Sequence, residues 1–477
     1  MSADPVRRRI IQGIAAGGLS LALPSWAKTR HQEFDAVIIG AGLSGLSCAL
    51  QLEMLGFRVG MVEARDRVGG RVWTLGQMGA VTDAGGQIVA GDYARFKGWA
   101  KQLNVPLEPL DTSDMSSVMS IGGSLIKGSE WATSKANKLP EARKKTLPMA
   151  LISSFIDGDN VLTSRTDWTD SRHQSLDQTS LKDFLISRGA DEEALRLMNI
   201  SPNTNDLATT SALWAIREHY RRKHGGRDPG TGKLELLRAS GGNSRLPDAM
   251  AKAVQGTIML NTRVKAIRCD DHGGVVHCND GRTLKGKVVI STLPYSVLRS
   301  IRIDPKPEGI LQTAIDTMPY TAITQLHFHI QRPFWEEDGL PISMWTDSLI
   351  ERVFVNRDEH RVPRNITVWI DGAQAQQFDK MPPAQQVRSV IDDLARIRPS
   401  TKGALRYELT RSWGRDPFNR GAYSHFAPGQ CIPFAANQSR AMSRLFFAGE
   451  HTSIVFAGME GALESADRVV GEVIDVL

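Results

Sequence analysis

Phe34-Asp-Ala-Val-Ile-Ile-Gly40-Ala-Gly42-Leu-Ser44-Gly45 is the stretch on which the fold turns. Phe34 to Ile39 is an apolar run that reads as a buried parallel strand. The glycine turn follows at once. An apolar-periodic helix then runs to about Leu55, and Gly56 ends it. A second strand, Phe57 to Val62, stops at Glu63. Strand, glycine turn, helix, strand and acid together form a dinucleotide-binding unit, and each part has a physical reason. Gly40 permits the tight turn, Gly42 lets a diphosphate approach the backbone, and Gly45 lets helix and strand pack closely. The helix start around Ser44 presents unpaired N–H groups and the positive dipole end to the phosphates. Glu63 stands 18 residues past Gly45 and accepts hydrogen bonds from ribose hydroxyls. Up to this point a nicotinamide and a flavin dinucleotide fit equally well.

The next residues separate them. Glu63-Ala64-Arg65-Asp-Arg67-Val-Gly69-Gly70-Arg71-Val-Trp-Thr resembles the second flavin fingerprint of the glutathione-reductase-like flavoproteins, in its flavin amine oxidase form. The paired glycines let backbone pass near diphosphate and ribityl chain, and Arg71 neutralises phosphate charge. A solvated Arg/Asp turn accounts for the charges but not for the paired glycines followed by Arg71. The resemblance to flavin amine oxidases continues along nearly all of the remaining chain. It is carried by Thr82-Asp-Ala-Gly85-Gly86-Gln87, Gly241-Gly-Asn-Ser-Arg-Leu246, Thr262-Arg-Val264, Val288 to Pro294, Phe447-Ala-Gly449-Glu450 and Gly458-Met459-Glu-Gly-Ala462. It implies non-covalent FAD. Gly85, Gly86 and Gln87 then lie beside the flavin, the Val264 backbone meets the adenine, and Glu450 holds the ribityl chain. The helix start at Gly458-Met459 lies under the pyrimidine ring. On that helix, Glu464 and Arg468 read as a solvated i, i+4 pair.

The implied fold class is α/β: a Rossmann-like FAD-binding domain interleaved with an α+β substrate domain of the amine oxidase type. The boundaries expected are 28–108, 238–308 and 415–477 for the FAD domain, and 109–237 and 309–414 for the substrate domain. The first insertion is helix-rich by pattern, as from Leu195 to Tyr220. The second carries strands such as Ala322 to Ile330 and Ile366 to Ile370. The glycine-rich segment from Lys223 to Lys233 reads as a mobile loop.

In this family the flavin carries the reaction, a hydride passing from the amine's α-carbon to flavin N5. The protein supplies a dry, aromatic-lined cavity. Tyr423, in Gly421-Ala422-Tyr423-Ser424, matches one wall of the family's aromatic cage, and Trp413 matches another aromatic near the flavin. Trp99, Trp214 and Trp369 read as core. Three departures stand out. The second cage wall, usually aromatic, is Gly458, with Phe456 nearby as a candidate filler. Ala422 replaces the cysteine that links flavin covalently in some members. Gln325, aligned through Met318-Pro319 and Pro333-Phe334-Trp335, replaces a lysine that holds water near N5 and assists reaction with oxygen. A glutamine brings no charge to stabilise superoxide, so slow use of O2 and a periplasmic electron-acceptor protein such as a cytochrome are expected. The segment from Ala84 to Gln87 also lacks the carboxylate-binding arginine of L-amino-acid oxidases. The expected substrate is therefore a small-molecule amine. An L-amino-acid oxidase or related flavoenzyme, and a flavin-binding protein without turnover, stand as alternatives.

Composition narrows the rest. The chain has 477 residues, a net charge of +6 and 41% hydrophobic residues, enough for a large two-domain enzyme. Its basic residues are scattered and form no nucleic-acid motif. Four cysteines without a CxxC give no metal or redox dithiol site. Cys48 reads as a buried apolar residue in the first helix, and Cys269 and Cys278 flank a turn where a cross-strand disulfide can form in an oxidising compartment. Residues 1–27 read as a targeting segment: Arg7-Arg8-Arg9, then Ile10-Ile11, an apolar run from Ile14 to Leu23, and Ser25-Trp26-Ala27 shaped like a peptidase site. The pattern resembles a twin-arginine signal, with an ordinary secretory signal or a basic tail as the other readings. A periplasmic location follows from it. No stretch is long enough for a stable membrane span. A homodimer is compatible with the sequence, though no stretch of it marks an interface.

Overall fold

The computed structural model describes residues 32–110, 118–158 and 161–477. The targeting segment lies outside them. Among the described residues two large sheets organise the chain, one eight-stranded and one seven-stranded.

The strand Gln32–Ile39 lies inside the first sheet. It runs parallel to Val59–Val62 on one side, with Ala36 opposite Val59, and parallel to Thr283–Ser291 on the other, with Val37 opposite Val289. Thr257–Met259 flanks Val59–Val62, while Gly273–Cys278, Val264–Asp270 and Arg302–Asp304 extend the far side. Leu445–Phe447, from near the C-terminus, pairs in parallel with the end of Thr283–Ser291. Three distant stretches of sequence therefore build one sheet. Its central strand is buried on both faces, which is why residues 36–39 are uniformly apolar. Ala36 and Ile38 join a core with the helices Leu43–Met54 and Gly458–Ile474. The first of these stops after Met54, and Gly56 at φ +87° takes the left-handed conformation that ends it.

The second sheet runs in the order Leu405–Ser412, Ile323–Ile330, Pro363–Asp371, Arg352–Arg357, Met344–Thr346, Val118–Ile121, Ser124–Lys127. Ile323–Ile330 is antiparallel to both neighbours, so Gln325 faces Trp369 on one side and Arg411 on the other. Short helices from the segment 128–224 pack beside it. The helical pattern from Leu195 to Tyr220 resolves into two helices, Glu192–Met198 and Ala212–His224, N-capped by the Asp191 and Ser211 side chains. Between them Ser201 and Asn203 take φ of +51° and +60°. The polar run 201–206 offers its backbone side-chain hydrogen bonds in place of helical ones, which breaks the periodicity.

Strand register also settles the cysteines. Cys269 lies opposite Gly274 and Cys278 opposite Val264, so the two do not face each other, and all four cysteines are free and buried. The segment expected to be a mobile loop is tied down: Arg227 bridges to Leu234, and Lys97 Nζ reaches Asp228 at 3.3 Å and Glu235 at 3.2 Å. Among the described residues no helix is long and apolar enough to cross a membrane.

Candidate active site

Where the two sheets meet, a cavity of about 600 Å³ is lined by residues from Ile39 to Ala462. Its first wall is the glycine turn. Gly40 takes φ +101°, and a Cβ on Gly45 would stand 2.0 Å from the Gly40 carbonyl oxygen, so only glycine lets the helix sit this close. A Cβ on Gly42 would meet nothing within 4 Å, so that position opens directly onto the cavity. Gly42 is also the N-cap of the helix Leu43–Met54 and has no side chain to cap it. Ser44 lines the cavity in the first turn, beside donors free for a phosphate.

Glu63 braces the turn. Its Oε2 accepts the Ala41 N–H at 2.9 Å and its Oε1 the Arg65 N–H at 2.9 Å. An ionised carboxylate has further lone pairs for two hydroxyls. Thr262, Arg263, Val264 and Lys265 complete this end of the lining, together with Ala64 and Arg65. Arg65 itself pairs with Asp416 at 2.5 Å and stacks on Phe418.

Midway along, Gly69 N–H binds the Ala41 carbonyl, which folds Gly69-Gly70 back against Gly42. Arg71 Nη1 lies 2.7 Å from Glu450 Oε1 and 3.0 Å from the Ala422 carbonyl. Glu450 also accepts from the Ser424 N–H and hydroxyl, at 3.1 and 2.9 Å. Burial pushes the Glu450 carboxyl up, but Arg71 and its hydrogen bonds outweigh that and hold it below the usual range. Gly449, at φ +126°, donates its N–H to Ser465. Opposite, a Cβ on Gly85 would lie 2.1 Å from the Arg71 carbonyl, and one on Gly86 3.0 Å from Met459 Sδ. Asn243 donates to the Gly86 carbonyl at 2.5 Å, so the segment 241–246 holds Gly86 in place. Gln87 donates to the Asp83 carbonyl at 2.9 Å.

The far end is aromatic. Trp413 donates to the Ala84 carbonyl at 3.1 Å, and Arg411 stacks on its ring. The Tyr423 hydroxyl lies 3.4 Å from Asn203 Oδ1, and burial holds its phenol well above the ordinary range. Ile323 and Trp369 pack with Trp413 and Tyr423 at this end, and Tyr93 lines the same cavity.

Of the site residues read from sequence, all but two line this one cavity. Gly45 packs inside the helix. Gln325 is fully buried outside the lining, and neither end of its amide has a hydrogen-bond partner. One reading is incomplete and two need correction. Trp369 packs on the small core of Leu75, Met78, Ile323 and Trp413 as expected, but it lines the cavity as well. Phe456 does not fill the space at Gly458; its ring lies between the Arg95 and Arg165 guanidinium groups, outside the lining. Glu464 and Arg468 do not pair. Glu464 caps three N–H groups of the turn 454–456, and Arg468 binds Glu472 and the Phe447 carbonyl. Tyr93 and Phe418 escaped sequence reading because neither sits in a motif. Only the break before the helix Ala94–Gln102 marks Tyr93.

Comparison with known proteins agrees with this geometry. A family model described as flavin containing amine oxidoreductase matches residues 43–474. The flavin-dependent L-tryptophan oxidase of Lentzea aerocolonigenes is 27% identical over 460 residues, covering 90% of this chain and 95% of its own. The L-amino-acid oxidase of Siganus canaliculatus is 26% identical over 454 residues, covering 91% and 84%. A solved structure of putrescine oxidase bound to putrescine superposes with a TM-score of 0.76 at 22% identity, over 93% of this chain and 100% of that one. The fold is thus the α/β amine oxidase fold, and the glycine-lined, basic cradle fits FAD.

Proposed function

The chain belongs to the flavin-containing amine oxidoreductase family, and from that premise we propose that it oxidises a primary or secondary amine with non-covalently held FAD. It is an oxidoreductase acting on amines. FAD bound in the cradle supplies hydride acceptance from the amine α-carbon, leaving an imine that water hydrolyses to a carbonyl compound.

The protein's part is binding and desolvation. The helix start at Gly42 and Arg71 would hold the diphosphate, Glu63 the ribose, and Glu450 the ribityl hydroxyls. Ala422 offers no thiol for a covalent link, so acid precipitation should release the flavin into solution. Trp369, Trp413, Tyr423 and Ile323 exclude water, which favours the neutral amine over its ammonium form.

One observation carries the choice of amine over amino acid. Of the cations lining the cavity, Arg65 pairs with Asp416, Arg71 pairs with Glu450 beside the diphosphate path, and Arg263 and Lys265 flank Val264. Among the described residues no cation lines the aromatic end to receive a carboxylate; Arg352 and Arg222 act on Tyr423 from outside the lining. A second reading, an L-amino-acid oxidase, draws on the two relatives named above and on Arg352, whose guanidinium carbon lies 5.4 Å from the Trp369 ring centroid. Arg352 is already paired with Asp371 at 2.9 Å. Anaerobic mixing with a panel of amines and L-amino acids tests the choice through flavin bleaching. Bleaching by amino acids alone moves the assignment to the second reading.

We also infer that O2 is a slow acceptor and that a periplasmic protein such as a cytochrome takes the electrons. Gln325, opposite Trp369 in the strand pairing, brings no positive charge there, and the pattern of the Arg7-Arg8 pair, Arg9 and the apolar Ile10-Ile11 speaks for export. Reoxidation by air at the turnover rate in stopped flow would reject the first point. Unchanged export of an Arg7→Lys/Arg8→Lys variant would reject the second.

A further inference from the structure

At the start of the helix Gly458–Ile474 the cavity wall has no side chain, because residue 458 is glycine at φ +57°. The gap is approached from another element. Tyr93 stands at the N-cap of the helix Ala94–Gln102, and its phenol oxygen lies 3.9 Å from where a Cβ on residue 458 would be.

This placement is enforced. Glu460, two residues past Gly458 and fully buried, accepts the Arg95 N–H at 2.9 Å and the Phe96 N–H at 3.1 Å. Those N–H groups are orphan donors of the helix that Tyr93 opens. One carboxylate thus caps the Tyr93 helix from the first turn of the Gly458 helix. The Tyr93 N–H donates to the Ala90 carbonyl, and its own carbonyl accepts the Lys97 N–H, at 2.9 and 3.0 Å. The backbone is held on both sides of the side chain.

The Tyr93 hydroxyl, by contrast, makes no hydrogen bond to any described residue, and Tyr93 lines the cavity that Tyr423 and Met459 also line. Burial raises the phenol above its ordinary range, so it stays protonated at working pH. A neutral phenol donates to an amine nitrogen, accepts from an N–H, and offers a ring face to a cation or an apolar body.

We propose that Tyr93 is a substrate-contacting, specificity-determining residue, closing the cavity beside Gly458 with its ring and binding the substrate amine through its free hydroxyl, with Glu460 as its positioning residue. Because the wall comes from the side, the backbone at Gly458 stays open. The substrate class this admits is an amine with a cyclic or aromatic body. The proposal rests on the amine reading above.

The test is equilibrium binding of 2-phenylpropan-2-amine, which has no α C–H to lose, followed by the visible spectrum of the bound flavin. Tyr93→Phe should weaken binding about 3- to 10-fold, the range of one neutral hydrogen bond. Tyr93→Ala should weaken it further, with FAD content per chain unchanged in both. Tyr407→Phe, in the second sheet, serves as the control that binds like the parent. Equal binding by the parent and Tyr93→Phe overturns the proposal while leaving the amine reading intact. A parent enzyme whose flavin spectrum responds to no amine overturns both.

Discussion

Arg71 and Glu450, 379 positions apart, meet across the cavity with Nη1 2.7 Å from Oε1. The pair ties the second flavin fingerprint to the C-terminal segment and is largely shielded from water. Arg71→Ala should leave a buried carboxylate without its counter-charge and cost about 2–4 kcal/mol, a little under the range of about 3–5 kcal/mol for a fully buried pair because Arg71 is partly exposed. FAD per chain should fall with it, read from visible absorbance against protein. Retention of full FAD would remove Arg71 from the cradle. The pH dependence has a definite sign. Glu450 sits below its ordinary carboxyl value in the folded chain, so its contribution is fully present above about pH 4.5 and is lost as pH falls further.

Gly42 and Gly45 should separate binding from folding. Alanine at Gly45 puts a methyl 2.0 Å from the Gly40 carbonyl, so the turn must move. A stability loss of about 2–4 kcal/mol is expected in denaturant unfolding of the FAD-free protein. Alanine at Gly42 meets open space, so the FAD-free protein should unfold as the parent does while FAD affinity drops at least about tenfold from the methyl in the phosphate path. Equal FAD affinity for Gly42→Ala and parent would move the diphosphate elsewhere.

Asp83 offers a pH signature of opposite sign. Burial pushes its carboxyl up to about 6. The folded-state value exceeds the unfolded one, so Asp83 costs stability above pH 6, and the cost fades as pH falls from 6 toward 4. The ceiling is about 3 kcal/mol. Asp83→Asn keeps an acceptor for the Asn243 N–H. It should stabilise the protein near pH 7.5 and flatten the profile in that window, as measured by thermal melts across pH. An unchanged profile would assign the slope to another group.

Gln325→Lys should speed reoxidation of the reduced enzyme by O2 at least about tenfold if the missing charge limits it, a change of about 1.4 kcal/mol in barrier. It should also destabilise the fold, since a lysine there is buried beside Arg411. Unchanged reoxidation kinetics would place the oxygen barrier elsewhere.

How much of this was legible beforehand divides by range. The nucleotide end was readable because each requirement is local: a turn that only glycine can make, an acid at fixed spacing, a helix start left uncapped. Gly40, Gly42 and Glu63 announce themselves within 24 residues. The aromatic end was not, because its walls come from different elements set side by side by the fold. Trp369 lies in a strand whose alternation looks like core until the neighbouring strand and the cavity edge are known. Tyr93 has no motif at all. Its role depends on a missing side chain 365 positions away and on a carboxylate that caps its helix. Gln325 could be aligned but not oriented from sequence. Glu464 looked solvated because i, i+4 spacing to an arginine is a surface pattern, whereas the turn 454–456 presents three N–H groups that claim it first.

The interleaving of the first sheet also bears on how the protein is made. Glu450 and Met459 reach the cavity only once the strand Leu445–Phe447 and the helix Gly458–Ile474 are in place. A growing chain therefore exposes an incomplete cradle until residues 445–474 have been made, and flavin capture follows their folding. Loss of the helix Gly458–Ile474 by premature termination or proteolysis would strip away a cofactor wall, so a chain cut short before it cannot pass for a working enzyme.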